Sequence, residues 1–259
     1  MKKTVRLLAL PVLLAMCLSA CGRPPANTVF SLNDLSGKIV ACQFGTTGYT
    51  YAGNIEDITV EGYDKGADAI KALKKGWADA VIIDSEPAAV FVAQNSDLMI
   101  LNDPFVVEEY AIAYSKDNAE LGEQLNEALD SLKADGTLDE ITSHWIGDEA
   151  DHVSYTPDAS AIRDGTIVMA THTGFQPYEM LENGRIVGID ADMIQAVCDR
   201  LGKELVIEDM AFKEIFTAVE SGKADVGAAG LTVTDERKEK VAFTQSYASS
   251  KQVIIVRKD

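Results

Sequence analysis

Two stretches of this chain repeat each other, and together they restrict what it can fold into. Ala72-Leu-Lys-Lys-Gly76-Trp-Ala-Asp79 leads into an apolar strand ending at Asp84, and Ala218-Val-Glu-Ser-Gly222-Lys-Ala-Asp225 leads into one ending at Gly230. Each reads as the end of an amphipathic helix, a glycine that tolerates the left-handed turn after it, and a buried strand. The offset from glycine to strand end is eight residues in both copies. Upstream of each copy a strand closes in a Thr- and Gly-rich turn, Gln43 to Gly48 and Thr171 to Gly174. Two βαβ blocks of this kind predict an α/β protein with two lobes. Ligands of open α/β sheets sit beyond the carboxyl ends of the strands. Facing lobes would therefore gather Gly45–Gly48, Asp84, Thr171–Phe175 and Gly230–Arg237 around one cleft. The alternative is two unrelated units with ordinary turns, because Gly-x-Ala-Asp after a helix is also a plain C-cap.

The intervening pattern fills in the rest. Strands are expected at Ile39–Cys42, Ile58–Val60, Ala80–Ile83 and Leu98–Leu101, with a helix over Ala67, Ile70 and Leu73 and another starting near Pro87. After a strand at Tyr110–Tyr114 come two helical stripes, Leu121, Leu125, Ala128 and Leu132, then Leu138, Ile141 and Trp145. Ala150–Asp164 has Pro, Ser and Asp without a period and reads as a linker. A strand at Ile167–Ala170, a helix capped by Asp190 and carrying Met193, Ile194, Val197, Cys198 and Leu201, and a strand at Leu205–Ile207 follow. Phe212, Ile215, Phe216 and Val219 line the next helix, and Val253–Val256 ends the chain's apolar pattern.

The strand at Ala224–Ala228 runs into Gly230-Leu-Thr232-Val-Thr234-Asp-Glu-Arg237. Thr234 is a plausible N-cap, and Asp235 and Glu236 suit the positive start of a helix. Arg237 does not suit it, since a cation in the first turn opposes the helix dipole. A guanidinium there makes sense if an anion arrives beside it, or if Asp235, Glu236 or Glu239 holds it.

Residues 1–20 are a secretory signal peptide: Lys2, Lys3 and Arg6, an apolar run Leu7–Cys17, then Leu18-Ser-Ala-Cys21. The run is too short to span a membrane. Its ending resembles a bacterial lipobox, which implies cleavage before Cys21 and lipid on the Cys21 sulfur. Residues 21–28 would be the lipid-anchored tether. Loss of the three cations takes the formal charge from −18 to −21. Such a chain has no electrostatic footprint for nucleic acid and would be repelled by anionic lipid. The acyl chain would supply its membrane affinity. Cys42 and Cys198 remain, on a strand and on a helix's apolar face, and read as buried thiols rather than a disulfide. His144, His152 and His172 lack metal-ligand spacing, no Gly-x-Ser-x-Gly elbow occurs, and Gly45-Thr-Thr-Gly lacks the phosphate-loop lysine. No cofactor, metal or catalytic residue is expected.

The stretches Thr171-His-Thr-Gly-Phe175-Gln-Pro177-Tyr178, Gly188-Ile-Asp190, Met210-Ala-Phe212, Ala229–Arg237, Gly45-Thr46-Thr47, Ala78-Asp-Ala and Asp84 resemble the polar amino-acid-binding proteins of ABC importers. The resemblance covers about Val29–Trp145 and Thr166–Lys258, and Gly-Leu-Thr-Val-Thr-Asp-Glu-Arg is its most specific part. It implies a two-lobed, type II periplasmic-binding fold, each lobe a βαβ sheet flanked by helices, with two crossover strands joining them. The order departs from the family, in which the block beginning at Thr166 precedes the block beginning at Val29. The exchange implies a circular permutant. Residues 29–107 with the strand 250–259 would form lobe 2, residues 108–149 with 165–249 lobe 1, and residues 150–164 would join the family's usual termini. Crossovers would fall near Glu108–Ala111 and Ser246–Ser250. A fragment of a tandem-domain protein is the competing reading.

Carried over by position, the resemblance implies that Arg237 clamps a ligand α-carboxylate, completed by Thr232, Thr46 and Thr47. Asp84 and the Gly230 carbonyl would take the α-ammonium. Phe175 and Phe212 would sandwich the side chain; Phe212 also fits its helix's apolar stripe and could be core. His172, Gln43 and Ile83 would set selectivity. No acid stands at the position of His172, so glutamine, cystine or a small neutral amino acid is expected. The implied partners are the amino acid and an ABC permease, the chain acting as a monomer. A sensor module for a receptor and a cyclohexadienyl-dehydratase-like enzyme are the alternatives; the latter's acid–base carboxyl would be Glu179, otherwise a surface residue.

Overall fold

The computed structural model describes residues 24–102, 105–147, 150–160 and 162–258. The signal segment and Cys21 lie outside them. In chain order the elements are β1 (Ile39–Gln43), α1 (Thr47–Gly53), β2 (Thr59–Tyr63), α2 (Gly66–Lys75), β3 (Ala80–Asp84), α3 (Ser85–Gln94), β4 (Leu98–Ile100) and β5 (Val106–Tyr114). Then come α4 (Ala119–Ala134), α5 (Thr137–Trp145), β6 (Thr166–Thr171), β7 (Met180–Glu182), β8 (Arg185–Val187) and α6 (Ile189–Leu201). The chain closes with β9 (Glu204–Asp209), α7 (Ile215–Glu220), β10 (Val226–Gly227), α8 (Asp235–Lys240) and β11 (Ala242–Arg257).

The repeat in the sequence is a repeat in hydrogen bonding. The Asp79 amide donates to the Ile39 carbonyl while its carboxylate accepts the Ile39 amide at 2.9 Å. Asp225 does the same with Val168, accepting its amide at 2.8 Å. The aspartate that follows each glycine thus locks the new strand onto the first strand of its own block. Gly76 and Gly222 both have φ of +72°, the left-handed geometry that ends α2 and α7.

The strand order is β2-β1-β3-β11-β5-β10-β6-β9, with β4 antiparallel to β11. β1 is parallel to β2 and β3, and β6 is parallel to β9 and β10. The two blocks are therefore laid out in mirrored order about β5 and β11. Those two pair antiparallel across both expected crossover segments, with Ser246 opposite Ala111 and Ser250 opposite Glu108. β11, sixteen residues long, runs from one block into the other. The first block is not wholly parallel: β3 meets β11 antiparallel, and β4 also pairs antiparallel with β11.

Each half of the sheet is covered on both faces. α4, α5 and α6 pack on one face of the second block through Leu125, Leu129, Trp145, Met193 and Val197, and α7 covers the other through Ile215 and Val219. In the first block Leu73, Val81 and Ile255 fill one face, and Val40, Ile82, Ile254 and Val256 the other. The alternation along β11 follows from the pleat, which sends successive side chains to opposite faces.

Several local expectations change. Gly45–Gly48 is not only a turn: Thr46 caps α1, its side chain accepting the Tyr49 amide. The β7–β8 hairpin was not anticipated. Asp190 is not the cap of its helix. Gly188 holds that position, at φ +128°, and a Cβ there would meet the Tyr178 carbonyl at 2.3 Å. The described residues of 150–164 carry no helix or strand, yet they are tied down: the Tyr155 hydroxyl, the Asp158 amide and the Arg163 guanidinium all donate to Asp199.

Candidate functional site

Arg237 sits in the first turn of α8, whose N-cap Thr234 accepts the Arg237 amide at 3.2 Å. Its side chain folds inward and is 9% exposed. Nη1 donates to the Thr232 carbonyl at 2.8 Å and Nη2 to the Gly45 carbonyl at 3.0 Å. The guanidinium lies 4.8 Å over the Phe216 ring and 5.7 Å from that of Phe212. Asp235 pairs with Lys238 instead, and among the described residues no carboxylate lies within ion-pair distance of Arg237. Burial pulls its pKa down, and Glu108 and Asp84 oppose the shift. A planar cation is thus held in place by neutral carbonyls, with no carboxylate in contact among the described residues.

A small cavity of ≈ 10 Å³ adjoins it. The first block contributes Gln43, Thr46, Thr47 and Asp84 to its wall, and the second contributes Phe175, Phe212, Gly230, Thr232 and Arg237. All but Arg237, which α8 carries, come from the carboxyl ends of β1, β3, β6, β9 and β10 or the segments just after them. Nine residues singled out from the sequence therefore meet at one place. A wider cavity of ≈ 400 Å³ opens on the outer side of Arg237, between Tyr51 of α1 and Lys213 and Lys240.

His172 and Ile83 are not in the wall of the smaller cavity. Nδ1 of His172 lies 2.9 Å from the Met210 carbonyl, so that nitrogen carries the proton, and Nε2 is buried without a partner. Its ring meets Phe212 edge-on. Ile83 belongs to the core of the first block.

Asp84 ends β3 and is 5% exposed. Its Oδ1 accepts from the Tyr110 hydroxyl at 2.5 Å. Burial, and after it the charge of Glu108, push its carboxyl well above the usual range. Gly230 has φ +55°, and its amide donates to Asp190 Oδ2 at 2.7 Å. Asp190 Oδ1 accepts from the Tyr247 hydroxyl, and burial lifts its pKa to about 6.

Two acids of this region differ from the sequence reading, which did not count Glu108 as a site residue and placed Glu179 on the surface unless catalytic. Glu108, on β5, is 2% exposed and accepts from the Thr232 hydroxyl at 3.2 Å and from Gln252 Nε2 at 2.8 Å. Glu179 is fully buried rather than on the surface. The Phe175–Glu179 bridge folds its loop back on itself, and neither carboxylate oxygen has a hydrogen-bond partner. Burial and the neighbouring Asp190 raise its pKa well above the ordinary value. No sequence signal separates such glutamates from solvated ones. Among the described residues no group of His, Cys, Asp and Glu could hold a metal ion.

The model of the family described as bacterial extracellular solute-binding proteins, family 3, matches residues 74–148 and 167–259. The arginine-binding extracellular protein ArtP of Bacillus subtilis (strain 168) is 33% identical over 93 residues, 36% of this chain and 36% of that protein. The glutamine-binding protein GlnH of the same organism is 29% identical over 112 residues, 43% of this chain and 41% of that protein. A solved ancestral arginine-binding protein bound to arginine is 40% identical over 30% of this chain and 34% of that one, with a TM-score of 0.29. The chain thus spans less than half the length of these relatives. The family match takes in both blocks, including Asp84 in one and Gly230–Arg237 in the other, and the chain belongs to the bacterial extracellular solute-binding proteins, a family of binding proteins rather than enzymes.

Proposed function

We propose that this protein captures a free amino acid between its two blocks and delivers it to an ABC import permease. One observation carries the reading: Arg237 is buried, held by carbonyls, and lacks a carboxylate among the described residues, while Asp84 lies across the same small cavity. In that arrangement Arg237 takes the α-carboxylate through parallel N–H bonds, helped by Thr232 and Thr47. Asp84 and the Gly230 carbonyl take the α-ammonium. Phe175 and Phe212 cover the side chain, and Gln43 biases the site toward a polar or neutral one, such as that of glutamine or cystine. Relatives named for binding arginine, glutamine and cystine support an α-amino acid as the common element.

The same reading assigns 29–107 with strand 250–259 to one lobe and 108–149 with 165–249 to the other, in circularly permuted order. The mirrored strand order supports it, as does the unmatched stretch between residues 148 and 167, which contains the 150–164 linker. Arg257, the last residue of β11, donates to the Pro25 carbonyl, so the tether touches the end of the last strand. Chain ends that meet at a surface are where permutation is tolerated. Cys21 would carry the lipid anchor.

Calorimetric titration of residues 22–259 with the natural amino acids tests the proposal, with Arg237→Ala as the control. Binding of at least one α-amino acid by the parent and its loss in a variant that still unfolds cooperatively is expected. Unchanged affinity in Arg237→Ala contradicts the assignment.

A further inference from the structure

The tether is pinned at the end of α2. Pro24 and Pro25 lie so close over Gly76 that a Cβ there would stand 3.2 Å from Pro24 Cβ and 2.5 Å from Pro25 Cδ. The Arg257 guanidinium fastens the same point. It donates from Nε to the Pro25 carbonyl at 3.1 Å and from Nη1 to the Leu73 and Ala78 carbonyls at 2.7 and 2.6 Å. Cys21 precedes Pro24 by three residues, so its Cα can be no more than about 11 Å from that of Pro24. A lipid on Cys21 therefore holds this end of the first block close to the membrane.

The side chains at that end suit a lipid surface. Trp77, directly after Gly76, is 59% exposed, and Lys75 Nζ lies 4.3 Å over its ring. Lys71, one turn earlier, shares with both a groove of ≈ 370 Å³ between α2 and β2. Lys71 and Lys75 are exposed, and among the described residues neither has an ion-pair partner; Lys74 is held by Asp97 and Asn95. The acids of the groove, Asp64 and Asp68, stand at its other end, before and in the first turn of α2. An indole settles at the bilayer interface, and a lysine beside it can reach lipid phosphates while its stem lies on apolar surface. The rest of the molecule works in the same sense. A chain of formal charge −18 is repelled by anionic lipid wherever its acids face it, which favours the orientation that presents Lys71 and Lys75.

We propose that the end of α2 around Trp77, with Lys71 and Lys75, is the face that the anchored protein lays on anionic phospholipid headgroups. The inference rests on the Cys21 anchor of the reading above and is independent of the ligand. The acyl chain supplies affinity, and the face supplies orientation. Its consequence for the cleft is one of placement. Gly76 leads toward the amino end of β3, whereas Gln43 and Asp84 stand at the carboxyl ends of β1 and β3. A strand of five residues spans about 16 Å, so the cleft lies that far from the seated end, clear of lipid and open to an arriving amino acid.

The test couples residues 21–259 through Cys21 to a maleimide lipid in vesicles, Cys42 and Cys198 being buried. The vesicles are phosphatidylcholine with phosphatidylglycerol, with or without a nitroxide on a share of the headgroups, which quenches tryptophan emission on contact. Trp77 is expected to be quenched and Trp145, 3% exposed, to be spared, so that Trp77→Phe abolishes the effect. The quenching is expected to drop in phosphatidylcholine alone and in the surface variant Lys71→Gln/Lys75→Gln. Emission untouched by the nitroxide overturns the inference. Quenching that is equal in both lipids and in the double variant also overturns it, because the tether alone would then bring the indole near. The chemical coupling keeps these results separate from the anchor itself. That is read from the mass of the full chain's product extracted from the membranes of an expressing bacterium, where an unmodified Cys21 overturns the anchor and this inference with it.

Discussion

Arg237 Nη2 donates to the carbonyl oxygen of Gly45 at 3.0 Å, a bond between residues 192 positions apart that joins the two blocks across the cleft. The bond uses a neutral acceptor, so it holds the guanidinium's direction without cancelling its charge. Neutral backbone acceptors set the geometry, and in the proposed function the ligand's carboxylate supplies the charge complement. Because the same side chain touches both blocks, a ligand bound to it also bears on how they are held together.

Arg237→Lys should retain the fold and lose most ligand affinity. Lysine is a point charge on a flexible stem and cannot make two parallel bonds to a carboxylate. Removing one partner of a buried charged pair costs about 2–5 kcal/mol, so a loss of roughly 30-fold or more is expected by calorimetry.

Gly230→Ala should weaken binding and destabilise the protein. At φ +55° any side chain is strained, and the new Cβ would stand 2.5 Å from the edge of the Phe175 ring. A loss of about 1–3 kcal/mol in urea unfolding is expected. Wild-type stability in this variant contradicts the geometry assigned to the cleft wall.

Glu179→Gln should stabilise the protein at neutral pH. The folded-state pKa of Glu179 is raised by burial and by Asp190, so its folded form binds more protons than its unfolded form over the interval between the two values. Stability attributable to this group is complete below the unfolded value and is lost as pH rises through the folded one. Asp190, at about 6, acts in the same direction. Urea midpoints of the parent should fall from about pH 5 to about pH 7.5, and the fall should be smaller in Glu179→Gln.

Cys42 and Cys198 should be inert in the native state. Both are buried and free, they lie in different core clusters, and burial pushes each thiol up to about 12. A thiol reagent should modify neither residue in native 22–259 and both after denaturation. Fast native labelling of either contradicts the packing.

What could be read in the sequence was what local pattern encodes. Gly76 and Gly222 marked equivalent helix ends, and Asp79 and Asp225 turned out to make the same pair of bonds. Thr234 was visible as a cap because capping depends on residues three positions apart. Glu108 was not visible as a site residue, since its partners Thr232 and Gln252 are 124 and 144 positions away. Glu179 was misplaced for the same reason: a glutamate in a polar loop reads as solvated until packing encloses it. Asp190 looked like a cap because its type suits one, but Gly188 ends the loop and the carboxylate turns to Gly230 and Tyr247 instead.

The most direct measurement is the thermal midpoint of residues 22–259, freed of carried ligand by refolding, with each natural amino acid and cystine in turn. A ligand that binds only the folded state adds about 2.7 kcal/mol at a hundredfold excess over its Kd and must raise the midpoint. The account predicts a clear rise with one or a few α-amino acids, absent from Arg237→Ala. A cooperative melt that no amino acid shifts contradicts it.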